Sequence, residues 1–287
     1  MSRIAYVNGA YVYKSEAAVH IEDRAHQLGD GVYEGVQIYQ STLIDLDAHL
    51  DRLWRSMTEI GMQPPMKRAP MCFILKELVR RNHIDNGFLY LQISRGAAPR
   101  DHAFPENCAP SMTATCKAIS PEKIKDLTQK GVLAISHPDI RWGRCDVKTT
   151  GLLPNALAKQ AAKQAGAFEA ILYDTDGNIT EGSSTNIWMV TKEGALQTRS
   201  TNDNILPGIT RMMVKQLAEK MQYKIIDKPF SVKDAQNAAE LFLTSSTAGP
   251  IPIVQLDGKK IGSGKVGPVV TALVEAYKNH IRAQVSV

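Results

Sequence analysis

At 287 residues, with 44% hydrophobic and 22% charged side chains, the chain can build a sizeable core and is long enough for two domains or one large α/β unit, which excludes a disordered chain. The net charge of +5 is mild, and no run of Lys and Arg is dense enough for a nucleic-acid-binding arm. The four cysteines lack a C-x-x-C pair and the seven histidines are scattered without an H-E-x-x-H, so we expect free thiols and no metal site. No apolar leader opens the chain and no apolar stretch approaches the ~20 residues a bilayer span needs, which leads us to expect a cytoplasmic protein.

In chain order, Ile4 to Val7 and Ala10 to Tyr13 read as a hairpin around Asn8-Gly9, a strong tight-turn pair. Gly29-Asp30-Gly31 leads into a strand from Val32 to Tyr39. Leu46, Leu50, Leu53, Trp54 and Met57 recur at helical spacing, predicting a helix that Gly61 ends. Cys72 to Arg81 reads as a second amphipathic helix, Phe88 to Ser94 as a strand, Arg95 to Asn107 as a polar loop and Ser111 to Ala118 as a strand. Ser120-Pro121-Glu122-Lys123 is polar and marks a domain boundary, giving a small N-terminal domain over 1–120 and a larger one over 121–287. Beyond it we expect a strand (Val132 to Ser136), an irregular basic stretch, a helix (Asn155 to Ala165) and a hairpin turning at Asp176-Gly177. Strands at Asn186 to Val190 and Leu241 to Ser245 and helices at Ile209 to Met221 and Val266 to Ile281 complete the reading. There is no internal repeat. Without strict βαβ alternation, the pattern favours an α+β fold in two lobes.

Four segments carry candidate chemistry. Thr180 to Asn186 sets small hydroxyl residues after the carboxylate of Glu181, a run able to form a phosphate-sized nest, although taken alone an ordinary Ser/Thr turn is the commoner outcome. Leu206-Pro207-Gly208-Ile209-Thr210-Arg211 opens a helix whose first N–H groups suit a phosphate, although Pro-Gly also simply starts helices. Lys148 follows the basic run Arg141 to Asp146, where Schiff-base chemistry is one reading and a surface lysine the other. Arg100 and His102, two apart in a turn-prone loop, share a face if extended and can hold a carboxylate, or are merely solvated.

Together and in this order, these segments resemble class IV (fold-type IV) pyridoxal-phosphate aminotransferases, and within them the D-amino acid transaminases. The resemblance runs from Tyr6-Val7-Asn8-Gly9 to the terminal helix. It is carried by Glu22-Asp23-Arg24, Gly29 to Glu34, His49 to Leu53, Arg95 to Pro105 and Arg144 to Lys148, then by Ala158-Lys159-Gln160, Glu169 to Leu172, Thr180 to Asn186 and Gly208 to Arg211.

The resemblance implies that Lys148 forms a Schiff base with pyridoxal 5'-phosphate and shuttles the proton at the substrate Cα, while Glu181 keeps the pyridine nitrogen protonated. It assigns the phosphate to Arg52, the N–H groups of Ile209 and Thr210, Ser183, Ser184 and a hydroxyl of Ser246 or Thr247, and ring packing to Leu206. Tyr33, Arg100 and His102 resemble the family's trap for the α-carboxylate of a D-amino acid. There the Arg and His reach in from the neighbouring subunit, so a homodimer is implied. The function implied is ping-pong transfer of an amino group from a D-amino acid such as D-alanine to a 2-oxo acid such as 2-oxoglutarate. The same fold also serves branched-chain L-amino acid and (R)-amine transaminases and aminodeoxychorismate lyase. Against the first stands Leu153, five residues after Lys148, where branched-chain enzymes usually carry tyrosine. Gly35 and Gln37 depart from the larger or charged residues usual beside the substrate and bear on substrate range.

Overall fold

The computed structural model describes residues 3–201 and 204–285. The chain divides into two compact units. Unit 1 holds the chain up to Ser120 together with Val147–Gly151; unit 2 holds Pro121–Asp146 and the chain from Leu152 onward. The segment around Lys148 therefore folds with the N-terminal unit, although it lies within the 121–287 stretch that the sequence pattern assigns to the larger domain.

Unit 1 contains β1 (Ile4–Val7), β2 (Ala10–Tyr13), α1 (Arg24–Leu28), β3 (Gly31–Tyr39), β4 (Thr42–Leu43), α2 (Leu46–Glu59), α3 (Arg68–Asn82), β5 (Gly87–Ser94) and β6 (Ser111–Ala118). Its sheet is antiparallel throughout, in the order β2-β1-β6-β5-β3-β4. The hairpin turn at Asn8-Gly9 forms as predicted, both residues taking positive φ. Alternation then sorts the strands: Val32, Val36, Ile38, Leu89, Leu91 and Ile93 turn to a core shared with Leu50, Leu53 and Met57 of α2 and Met71, Leu75 and Leu78 of α3. Tyr33, Gly35 and Gln37 alternate to the opposite face, paired in register with Gln92, Tyr90 and Phe88. Helix α3 starts four residues before the predicted Cys72, because Pro70 lies in its first turn, where no intrahelical N–H is needed.

Unit 2 contains α4 (Pro121–Lys130), β7 (Val132–Pro138), α5 (Leu153–Gln164), β8 (Glu169–Tyr173), β9 (Ile179–Gly182), β10 (Asn186–Val190), β11 (Leu196–Thr198), α6 (Ile209–Lys220), β12 (Ile225–Asp227), α7 (Val232–Gln236), β13 (Glu240–Ser245), β14 (Gly249–Leu256), β15 (Lys259–Lys260) and α8 (Pro268–Val285). The order is β12-β11-β10-β13-β14-β7-β8-β9, with β15 on β14, and the pairing is mixed, β7 lying parallel to both β8 and β14. Helix α5 packs on β8 through Ala158 and Ala162 against Ala170 and Leu172. Ile171, Ile187, Leu241, Leu243, Ile251 and Ile253 form the larger core. Within the polar stretch Ser120 to Lys123 the chain passes from unit 1 to unit 2 after Ser120, and Pro121 is the first residue of α4, a position that proline favours. The fold is α+β. Among the described residues no helix is long and apolar enough to cross a membrane.

Candidate active site

Lys148 reaches unit 1 on a five-residue segment that docks along the start of β3. Tyr33 N donates to Lys148 O at 3.0 Å, Thr150 N donates to Gly31 O at 3.0 Å, and Val32 bridges Thr149. Close packing on several sides favours glycine here: a Cβ on Gly31 would stand 3.0 Å from Ala25 Cβ and Ile93 O and 3.3 Å from Thr150 Oγ1, and Gly29 caps α1 with φ +70°. The Lys148 amine is thereby held 4.1 Å from the Tyr33 ring centroid. Tyr33 in turn stacks on Tyr90 at 5.4 Å. Burial, with Tyr33 beside it, pushes the Tyr90 phenol up to about 12, so it remains neutral and donates to Gln92 Oε1 at 2.8 Å.

On the core side of the same strand, α2 supplies His49 and Arg52, one helical turn apart. Arg52 grips Glu34 with a fork, Nε to Oε1 and Nη2 to Oε2, both at 2.8 Å, and His49 Nδ1 lies 2.8 Å from Oε2. All three are buried. Burial alone would raise the Glu34 carboxyl, but the Arg52 charge and fork and the His49 bond hold it well below the ordinary carboxylate range. Arg52 therefore stands on a fixed guanidinium plane. Sequence reasoning does not single out Glu34 or His49; the i, i+3 spacing of His49 and Arg52 on the apolar face of α2 is the available signal.

Arg100 and His102 lie in the loop between β5 and β6, with both side chains exposed. Among the described residues no hydrogen bond or ring contact joins either to Tyr33 or Lys148. The backbone beneath them is fixed, with Arg24 Nη1 donating to Asp101 O at 2.7 Å.

In unit 2, β9 carries Glu181 to a network that holds both of its oxygens. Arg141 Nη1 donates to Oε1, while Oε2 accepts from Asn186 Nδ2 at 3.0 Å and from Leu206 N at 3.1 Å. Asp139 clamps Arg141 from behind, accepting from Nε at 2.9 Å and Nη2 at 2.7 Å, and Thr180 Oγ1 donates to the same carboxylate at 2.6 Å. Burial disfavours charge on both partners, yet the pairing keeps Asp139 below its ordinary range and Arg141 raised. The expected irregular basic stretch is thus largely neutralised, Arg141 by Asp139 and Glu181 and Arg144 by Asp146 at 2.9 Å.

The phosphate-binding expectation divides in this unit. Helix α6 begins at Ile209 and no side chain caps its N-terminus, leaving first-turn N–H groups without intrahelical partners. Gly208 is needed there because a Cβ would collide with Asn186 Oδ1, so Asn186 ties the helix start to Glu181. Arg211, in the same turn, is buried with its Nε unpartnered among the described residues. Leu206 is half-buried, and its carbonyl accepts from Asn186 at 3.0 Å. Ser183, expected in a phosphate nest, is instead committed inward, its hydroxyl donating to Glu169 and its N–H to Ala170 O at 2.9 Å. The buried Glu169 also accepts from Thr185, and a buried carboxylate captures nearby hydroxyls because it must be satisfied. Ser184 is exposed. Ser246 and Thr247 occupy the turn between β13 and β14, with Thr247 Oγ1 2.9 Å from Ser245 Oγ. Among the described residues no cluster of His, Cys, Asp or Glu is arranged to hold a metal ion.

The amino-transferase class IV family model matches residues 31–256. A D-alanine aminotransferase of Bacillus licheniformis is 44% identical over 278 residues, covering 96% of this chain and 96% of its own. A D-alanine aminotransferase of Staphylococcus haemolyticus is 36% identical over 98% of this chain and 99% of its own. Among solved structures, a branched-chain aminotransferase of the thermophilic archaeon Thermoproteus uzoniensis with norvaline matches with a TM-score of 0.87 at 25% identity, over 99% of this chain and 96% of that chain.

Proposed function

The chain belongs to the amino-transferase class IV family, and from that premise we propose that it is a D-amino acid aminotransferase using pyridoxal 5'-phosphate. It moves the amino group of a D-amino acid such as D-alanine to a 2-oxo acid such as 2-oxoglutarate in a ping-pong cycle. The full-length likeness to D-alanine aminotransferases carries this reading.

The donor set fits the cofactor. Unit 1 offers a positioned primary amine, Lys148, and an oriented guanidinium, Arg52. Unit 2 offers a buried carboxylate, Glu181, and the uncapped start of α6. When bound, the cofactor supplies an aldehyde carbon that takes up amino groups and a protonated pyridine ring that draws electrons from the substrate Cα. Lys148 carries the cofactor and its Nζ moves the proton at the substrate Cα. Glu181 holds the proton on the pyridine nitrogen, and its two fixed oxygens require no reorganisation to do so. In unit 2 the N–H groups of Ile209 and Thr210 and the hydroxyls of Ser184 and of Ser246 or Thr247 would take the phosphate, and in unit 1 the Arg52 guanidinium is the group with that proposed role. Ser183 acts one step removed, ordering the turn through Glu169. Leu206 would pack against the cofactor ring.

Tyr33, Arg100 and His102 hold the substrate carboxylate. The exposure of Arg100 and His102 supports their serving the neighbouring subunit of a homodimer. The exposed apolar side chains Trp142, Leu153 and Leu157 also favour a partner copy. The four free thiols fit the reducing cytoplasm.

Turnover of D-alanine, L-leucine and (R)-1-phenylethylamine against 2-oxoglutarate tests the substrate class. D-alanine is expected to be the preferred donor; preference for either other donor overturns the assignment.

A further inference from the structure

Phe104 is 60% exposed, yet it is not loose. Its ring centroid lies 3.6 Å from the Arg95 guanidinium carbon and 5.9 Å from that of Arg24. Both arginines are buried, and both spend their Nε on one oxygen, Asp30 Oδ2, at 2.7 Å for Arg24 and 2.8 Å for Arg95. Two guanidiniums on a single carboxylate leave a surplus positive charge, and the negative face of an aromatic ring is a complement that adds no second anion.

The same two arginines span the loop and its support. Arg95 donates to the carbonyls of Ile60 at 2.7 Å and Gly61 at 3.0 Å, at the end of α2. Arg24 donates to the carbonyl of Asp101 at 2.7 Å and that of His102 at 3.5 Å. Those two peptides lie between Arg100 and Phe104, so the ring closes a clasp over the stretch of backbone that presents Arg100 and His102.

We infer that Phe104 is a positioning residue for the substrate carboxylate, fixing through Arg24 and Arg95 the backbone from which Arg100 and His102 project. The inference rests on the carboxylate-holding role proposed above for Arg100 and His102. Fixing that backbone before substrate arrives removes an ordering cost from carboxylate binding and leaves the chemistry at Lys148 alone. The signature is a change in KM without a matching change in kcat.

The experiment measures kcat and KM for D-alanine, and inhibition by propionate as a carboxylate without an amino group, in Phe104→Leu, Phe104→Tyr and Arg100→Ala holoenzymes. Phe104→Leu is expected to raise KM and the propionate inhibition constant roughly tenfold with kcat within about twofold, and Phe104→Tyr, which keeps the ring, to restore both. If Phe104→Leu leaves both constants unchanged while Arg100→Ala raises them, the inference fails and the carboxylate role of Arg100 stands. If Arg100→Ala also leaves them unchanged, the underlying role fails as well. A Phe104→Leu variant that lowers kcat and thermal stability without moving the propionate constant overturns the inference in favour of a purely structural ring.

Discussion

In unit 1 the guanidinium of Arg52 is the group assigned to the cofactor, and Glu34 and His49 stand behind it; in unit 2 the carboxylate of Glu181 has that assignment, and Arg141, clamped by Asp139, stands behind it. The roles of acid and base are exchanged between the two. So is the charge balance: the Arg52–Glu34 pair sums to zero, whereas one guanidinium between Glu181 and Asp139 leaves a net negative charge. A neutral pair presenting N–H donors suits an anionic phosphate, and a cluster with surplus negative charge suits a protonated pyridine nitrogen. Each functional group is thus buried and oriented by a partner that is itself held, the arrangement that electrostatic preorganisation requires.

The largest effect is expected from Glu34→Gln. It leaves the Arg52 charge buried and uncompensated, and is expected to lower stability by about 3–5 kcal/mol in chemical denaturation. A loss well under ~1 kcal/mol would mean that Arg52 does not depend on Glu34. Next in size, Glu181→Gln keeps an acceptor for Asn186 and Leu206 but removes the surplus negative charge. We expect kcat to fall on the order of 10²–10³-fold while the fold survives; a near-normal kcat would detach Glu181 from the chemistry.

The smallest effect is pH dependence. Burial tends to raise both backing carboxylates, Glu34 and Asp139, but their arginine partners hold them low. A depressed carboxyl contributes its stability in full above its unfolded value, ~3.9–4.3, and loses it as pH falls through the lowered folded value. The unfolding free energy is therefore expected to be flat from neutral pH to about 5 and to decline below about 4, less steeply in Glu34→Gln. An equal slope in that variant would show that Glu34 is not held low.

Residues whose role is local are legible in the sequence. The Asn8-Gly9 hairpin, the Leu46 helix and the glycines at the start of β3 follow from turn chemistry and periodicity, whereas Lys148, Glu181, Ile209 and Thr210 are named only through the family resemblance that the order of motifs carries. Residues defined by long-range pairing are not. Glu34 sits among valines in a strand and gives no sign that Arg52, 18 positions on, receives it. Glu169 claims Ser183 from 14 positions away, which no reading of the hydroxyl run alone can reveal. The docking of 147–151 into unit 1 also depends on tertiary contacts with Gly29 and Gly31. Short elements such as β11, β12 and α7 lack the length for a periodic signal.

The proposed role of Lys148 is to carry pyridoxal phosphate for D-amino acid transfer. Its most direct test is the visible spectrum of the purified protein with pyridoxal phosphate, before and after D-alanine or L-leucine, with Lys148→Ala alongside. We predict a lysine-bound cofactor band in the parent protein that D-alanine bleaches and L-leucine does not, and no such band in Lys148→Ala. A band that persists in Lys148→Ala would overturn that role, and bleaching by L-leucine alone would overturn the substrate class.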